Sequence, residues 1–261
     1  MTSNSDVTVP AEVIHFSAGN YRYVKGGFQY SAAVIADSGF VIERARLTKP
    51  LPLGQGFALI KQHLLSIGRP LTALCSCELR SPAPMSEADF IAFNRAYVQP
   101  LADWGLFKDD ANPVARCNLI PQVDKPPEAS FYAFSYTVPT ASISGTPDFI
   151  TAGAAECPDR PDYRKRIVRL GETTPDALSD KLRYALGDIE LRLDAMGVGW
   201  SDALGVRLYT VHDLHHVVWG ELSQRGALAG GLDCHWVRPP VIDLEIEIDV
   251  SRISRQIAVA T

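Results

Sequence analysis

One pattern in this chain is written twice. The stretch at 63–80 (HLLSIGRPLTALCSCELR) and the stretch at 192–209 (RLDAMGVGWSDALGVRLY) begin 129 residues apart. At that offset Leu64 meets Leu193, Ile67 meets Met196, Gly68 meets Gly197, Cys77 meets Val206 and Leu79 meets Leu208. Each copy reads as a helix end, a glycine stop, a short loop and an alternating strand. Glycine suits the residue just past a helix because that residue turns left-handed. Identity between the copies is low, so shared punctuation and apolar spacing carry the repeat. The chain has 261 residues, which accommodates two units of about half that length.

The flanks follow one order. In the first half, extended segments are expected at 13–23, 28–36 and 40–47, with Asp37-Ser38-Gly39 as turn chemistry. A helix follows at 56–67, a strand at 74–79 and a second helix at 86–104 capped by Ser86, which Pro100 should kink or end early. Strands at 114–120 and 130–138 complete it. The second half reads as strands at 149–156 and 164–170, then a long helix to about Met196 opened by Thr174-Pro175. A strand at 203–211, a helix at 213–225 and strands at 232–237 and 241–250 close the chain. Each half is thus an α+β unit, a sheet with two helices packed on one face. The boundary falls in the small-polar, proline-bounded segment 139–147, giving domains at 1–138 and 139–261.

Composition narrows the function classes. With 25 Lys and Arg against 30 Asp and Glu, the net charge is −5, which offers no footprint for nucleic acid. Hydrophobic residues make up 46%, enough for a core. No run approaches a membrane span, and the opening MTSNSD lacks the basic and apolar regions of a signal peptide. A cytoplasmic protein with reduced thiols is expected. Cys75 and Cys77, two apart, should face one side of a strand as core thiols.

Several residues bear chemistry. The run VHDLHH (His212, Asp213, His215, His216) has metal-like spacing, but Asp213 reads as a helix cap and no third ligand is secured. No metal and no cofactor are expected. Glu156 follows a small-residue run and could point into a cleft. Cys117 adjoins Arg116, whose charge would lower a thiol pKa. Asn94 and Tyr97 share a helix face and read as packing. The glycine pairs at 26–27 and 230–231 are not set as phosphate loops.

FITAGAAE at 149–156, RLDAMGVGWSD at 192–202, RLYTVHDL at 207–214, RPPVIDLEIEIDV at 238–250, DFIAFNRAY at 89–97 and ARC at 115–117 together resemble the Rid superfamily, also called the YjgF family. The resemblance covers nearly the whole chain as two copies. It implies two fused chorismate-mutase-like domains, trimeric association and ligand pockets in clefts between domains. It also implies hydrolytic deamination of an enamine or imine of an amino acid. An arginine that holds the substrate carboxylate matches Arg116, with Cys117 beside it. A glutamate that helps place water matches Glu247. The first half has Tyr132 near the glutamate position, and the second half has Asp233, Cys234 or His235 where the arginine belongs. Arg116 and Glu247 are therefore expected to form composite pockets, with Cys117, Glu156 and His235 as further substrate contacts. The ligand is a small carboxylate. The alternatives are a non-catalytic carboxylate-binding or scaffold protein and a chorismatase-like hydrolase.

Overall fold

The computed structural model describes residues 11–141 and 145–261. The MTSNSD opening, and residues 142–144 of the expected connection, lie outside the described residues. The first half contains β1 (Val13–Phe16), β2 (Tyr21–Val24), β3 (Ala33–Ala36), β4 (Phe40–Pro52), α1 (Leu53–Ser66), β5 (Leu74–Arg80), α2 (Glu87–Asp103), β6 (Ala115–Pro121) and β7 (Ser130–Pro139). The second contains β8 (Phe149–Thr151), β9 (Ala154–Ala155), α3 (Tyr163–Arg166), α4 (Pro175–Met196), β10 (Gly205–Thr210), α5 (His215–Gln224), β11 (Leu232–Arg238), β12 (Ile246–Arg252) and β13 (Arg255–Val259).

Among the described residues, thirteen strands join in one mixed sheet. Its order is β1-β2-β3-β8-β12-β10-β11-β6-β5-β7-β4-β13, with β9 on β12. The centre is palindromic. β5 lies parallel to β6 and antiparallel to β7, and β10 lies parallel to β11 and antiparallel to β12. The halves meet where β11 runs antiparallel to β6, through Val237↔Pro121 and Arg238↔Ile120. Strands also cross between halves. β3 of the first half extends the second half's sheet through β8, and β13 of the second half lies parallel to β4.

The helices cover one face of each half-sheet. α4 begins as its cap chemistry dictates: Ala177 N donates to Thr174 Oγ1, and Pro175 occupies the first turn. Gly197 stops it at φ 73°. Its stripe of Leu178, Leu182, Leu186, Ile189 and Leu193 packs with α5 on β3, β8, β10 and β12. α1 and α2 bury Phe57, Ile60, Leu64, Tyr97 and Leu101 against β4, β5 and β7. Opposite the helices, Tyr21, Val34 and Ile150 of one half-sheet pack on Ile42, Cys75 and Ala115 of the other. Across this interior runs a buried ion chain. Arg44 donates twice to Glu78, Arg207 stands 2.9 Å from Glu78, and Arg207 also grips Asp249 at 2.7 and 2.9 Å.

Four expectations need correction. Residues 164–170 are not a strand: α3 and a turn with Arg169 at φ 48° fill this stretch, and Ile167 packs on Phe90, Val241 and Leu244. The last long strand starts at Ile246 rather than at 241, because Asp243 turns left-handed at φ 72° and Val241 and Leu244 join that same cluster. Pro100 does not end α2, which runs to Asp103, since the carbonyl deprived of a partner belongs to exposed Ala96. Cys75 and Cys77 face opposite sides, because a register shift between Leu74 and Ser76 adds a residue to the ladder.

Candidate active site

The site forms where the end of β8, the start of β12 and the middle of β6 converge. β8 breaks at Ala152-Gly153, and Gly153 N donates to Arg116 O across the halves. Glu247 pairs in ladder register with Ala155 on one side and Tyr209 on the other. A Cβ on Gly153 would overlap the Glu247 carboxylate, so the glycine leaves room for it. Arg192, from α4, fixes the break by donating to Ala152 O at 2.8 Å while Asp188 holds its other nitrogen at 2.5 Å.

Arg116 is 3% exposed. It donates to Asn94 Oδ1 at 2.6 Å and lies 4.9 Å from the Tyr30 ring centre and 4.8 Å from that of Tyr97. Among the described residues no carboxylate stands within ion-pair distance of it. A buried guanidinium held by rings and one amide, with no counter-ion, is poised for an anion. Glu247 is buried, and its carboxyl is pushed up to about 8, first by burial and then by Asp249, against the lowering pull of Arg116, Arg192 and Arg80. At neutral pH it therefore keeps its proton. Tyr30, Phe90, Tyr163, Asp159 and Glu247 wall a narrow cleft with about 40 Å³ of open space. Asp159 is set by Gln29, which donates to both its oxygens at 2.8 Å, and by the Tyr163 hydroxyl. The roof at 157–167 is tied to the first half by Glu87, which accepts from Asp162 N at 2.8 Å and Tyr163 N at 3.2 Å.

The profile of the family described as 2-aminomuconate deaminase CnbZ matches residues 13–257. A Comamonas testosteroni protein, 2-amino-5-chloromuconate deaminase, is 46% identical over 94% of this chain and 98% of its own length. The chain belongs to the CnbZ family. The YjgF gene product of E. coli is similar at 18% identity, over 41% of this chain and 81% of that one, with a TM-score of 0.32. A chorismatase structure is similar at 11% identity, over 93% and 79%, with a TM-score of 0.43.

In this CnbZ-family chain, Arg116 and Glu247 belong to one region, each within electrostatic reach of Tyr30. The other expected contacts lie elsewhere. Cys117 projects to the opposite face of β6 from Arg116 and clusters with Leu119, Tyr209 and Val237. Burial pushes its thiol up, helped by Glu78 and Asp249, so the expected lowering by Arg116 does not occur. Glu156 is fully buried and structural. It accepts from Glu245 N at 2.6 Å and Ile246 N at 3.0 Å, and faces Lys181 at 3.3 Å. His235 packs at a tilt against Tyr209 and lines a different cleft.

The VHDLHH histidines take separate partners: His212 meets Glu245, His215 meets Asp213, and His216 meets Pro175 O. No metal-holding group of His, Cys, Asp or Glu occurs among the described residues. Sequence reasoning missed Tyr30, Asp159, Tyr163 and Arg192. Asn94, read as packing, is the partner that orients Arg116. A buried asparagine on the face of α2 turned to the sheet was the available signal.

Proposed function

We propose that this chain is a hydrolytic deaminase of an unsaturated 2-amino dicarboxylate of the 2-aminomuconate type, working at the cleft lined by Glu247, with Arg116 behind its Tyr30 and Phe90 walls. The observation that carries the reading is the buried, ion-pair-free Arg116 in the same region as a proton-bearing Glu247. Arg116 binds the carboxylate next to the amino-bearing carbon, its planar fork matching that anion. Protonated Glu247 gives its proton to the enamine, which becomes an iminium. The resulting carboxylate then takes a proton from water as the water oxygen attacks the C=N carbon. The carbinolamine collapses as Glu247 returns its proton to nitrogen: the C–N bond breaks, ammonia leaves, and the hydroxyl proton passes to Glu247, which is again protonated. The product is the 2-oxo acid. The open space fits little more than a water molecule. Substrate entry therefore requires Tyr30 and the roof at 157–167 to move.

The same reading takes 1–138 and 139–261 as specialised Rid-like units, and trimers as the assembled form. The test is ammonia release from 2-aminomuconate, with pyruvate release from chorismate as the contrast. Arg116→Ala is expected to lower kcat/KM by about 100-fold or more. Unchanged turnover in that variant, or no ammonia from the parent, overturns the assignment.

A further inference from the structure

A second cleft, of about 260 Å³, opens between the C-terminal ends of the parallel strands β10 and β11 and the start of α5. We propose that it is a small-molecule site for a planar, conjugated carboxylate, separate from the Arg116–Glu247 cleft.

Three observations converge on that ligand chemistry. Of the four tryptophans, Trp219 and Trp236 are 46% and 63% exposed, and both line this cleft. Indole faces in water suit a flat π-system. The polar groups are already oriented. His212 is fixed by Glu245 at 2.6 Å, which Arg238 holds in turn at 2.7 Å. His235, tilted on Tyr209 with ring centres 5.2 Å apart, has no hydrogen-bond partner among the described residues. Behind it lies one arginine without an ion pair among the described residues. Arg80 is 5% exposed, donates to Leu79 O at 2.8 Å and lies 4.1 Å over Tyr132, with no carboxylate within ion-pair distance among the described residues. Arg80 and Arg207 both act on His235, adding to burial in holding its imidazole neutral. Asp249 and Asp233 oppose them, and Asp213, which also lines the cleft, is engaged by His215 N at 2.9 Å and by the His215 ring at 2.8 Å. The free N–H of neutral His235 can donate to a carboxylate, with Arg80 adding positive potential from behind the lining. A metal does not fit, since no ligand set converges among the described residues. The proposal is independent of the deaminase reading.

The test is a titration of the full chain with sodium benzoate, followed by tryptophan emission, with sodium cyclohexanecarboxylate as a non-planar anion of equal charge. Saturable quenching by benzoate is expected, at least about fivefold tighter than for the saturated ring. Trp236→Ala should weaken it about fivefold, and Arg116→Ala should leave it unchanged. Absence of saturable quenching, equal binding of both rings, or loss in Arg116→Ala with retention in Trp236→Ala overturns the proposal. So does light scattering in which Trp236→Ala lowers the mass of the assembly, because a second copy of the chain would then be the occupant.

Discussion

Glu247 keeps its proton because three circumstances coincide: burial, Asp249 two residues along the same strand face, and arginines too distant to form an ion pair with it. Its folded value, about 8, lies above the ordinary carboxylate value of 4.5. Its contribution to stability is therefore fully present below the ordinary range and is lost as pH rises through about 8. Glu247→Gln, which cannot ionise, is expected to match the parent near pH 4. At pH 8 it should exceed the parent by about 3–5 kcal/mol at most. Thermal unfolding across pH checks this, and equal stability at pH 8 would contradict the raised value. Gly153 is its steric counterpart. Gly153→Ala should keep the fold, displace the carboxylate and cost about 10- to 100-fold in kcat, read by ammonia release beside a circular dichroism control. At this scale the sequence showed identities better than directions. That Arg116 and Glu247 lie in one region was legible, but the direction of Cys117 was not, because adjacent strand residues face opposite sides. Glu156 looked available because nothing local reveals that two backbone amides and Lys181 close around it.

The elements are held together by charge as well as by apolar packing. Glu78 on β5 links Arg44 of β4 to Arg207 of β10, and through Arg207 to Asp249 of β12. Burial alone would push the Glu78 carboxyl up, but Arg207 and Arg44 together outweigh it and hold it far below the usual range. Glu78→Gln leaves two buried guanidiniums short of a counter-charge and should destabilise by about 3–5 kcal/mol. The check is a lower urea midpoint at unchanged slope; an unaltered midpoint would show the chain to be energetically idle. Elements with both ends marked were legible from sequence. α4 is the clearest case, bounded by Thr174-Pro175 and Gly197. Residues 164–170 resembled a strand because so short a segment, with Ile167, Val168 and Leu170 among basic residues, lacks a decisive period, and the left-handed turns at Asp162 before it and Arg169 within it fall on residues that do not announce them. β13 and the crossing of β3 escaped notice, since strand partners are settled by tertiary packing and leave no local mark.

The halves share a topology but not their boundaries. Val24, Ala33 and Ile35 of the first half pack beneath α4 in the second half's core, while Ile257 and Val259 pack against the core of the first. The two therefore depend on each other for apolar cover. A fragment spanning 145–261 lacks β1–β3 and is expected not to fold alone, whereas mixing it with 1–141 should restore native circular dichroism. A cooperative melt of the isolated fragment would refute that dependence. The repeat in the sequence points to two similar units, but it says nothing of strands lent across the join, because exchange alters connectivity and not pattern. The exchange also has a practical consequence. Cut at the exposed Gly145, the chain becomes two pieces, each carrying a strand that the other's sheet uses. Fused to two unrelated proteins, such pieces would serve as a split reporter whose regained fold signals that the carriers have met.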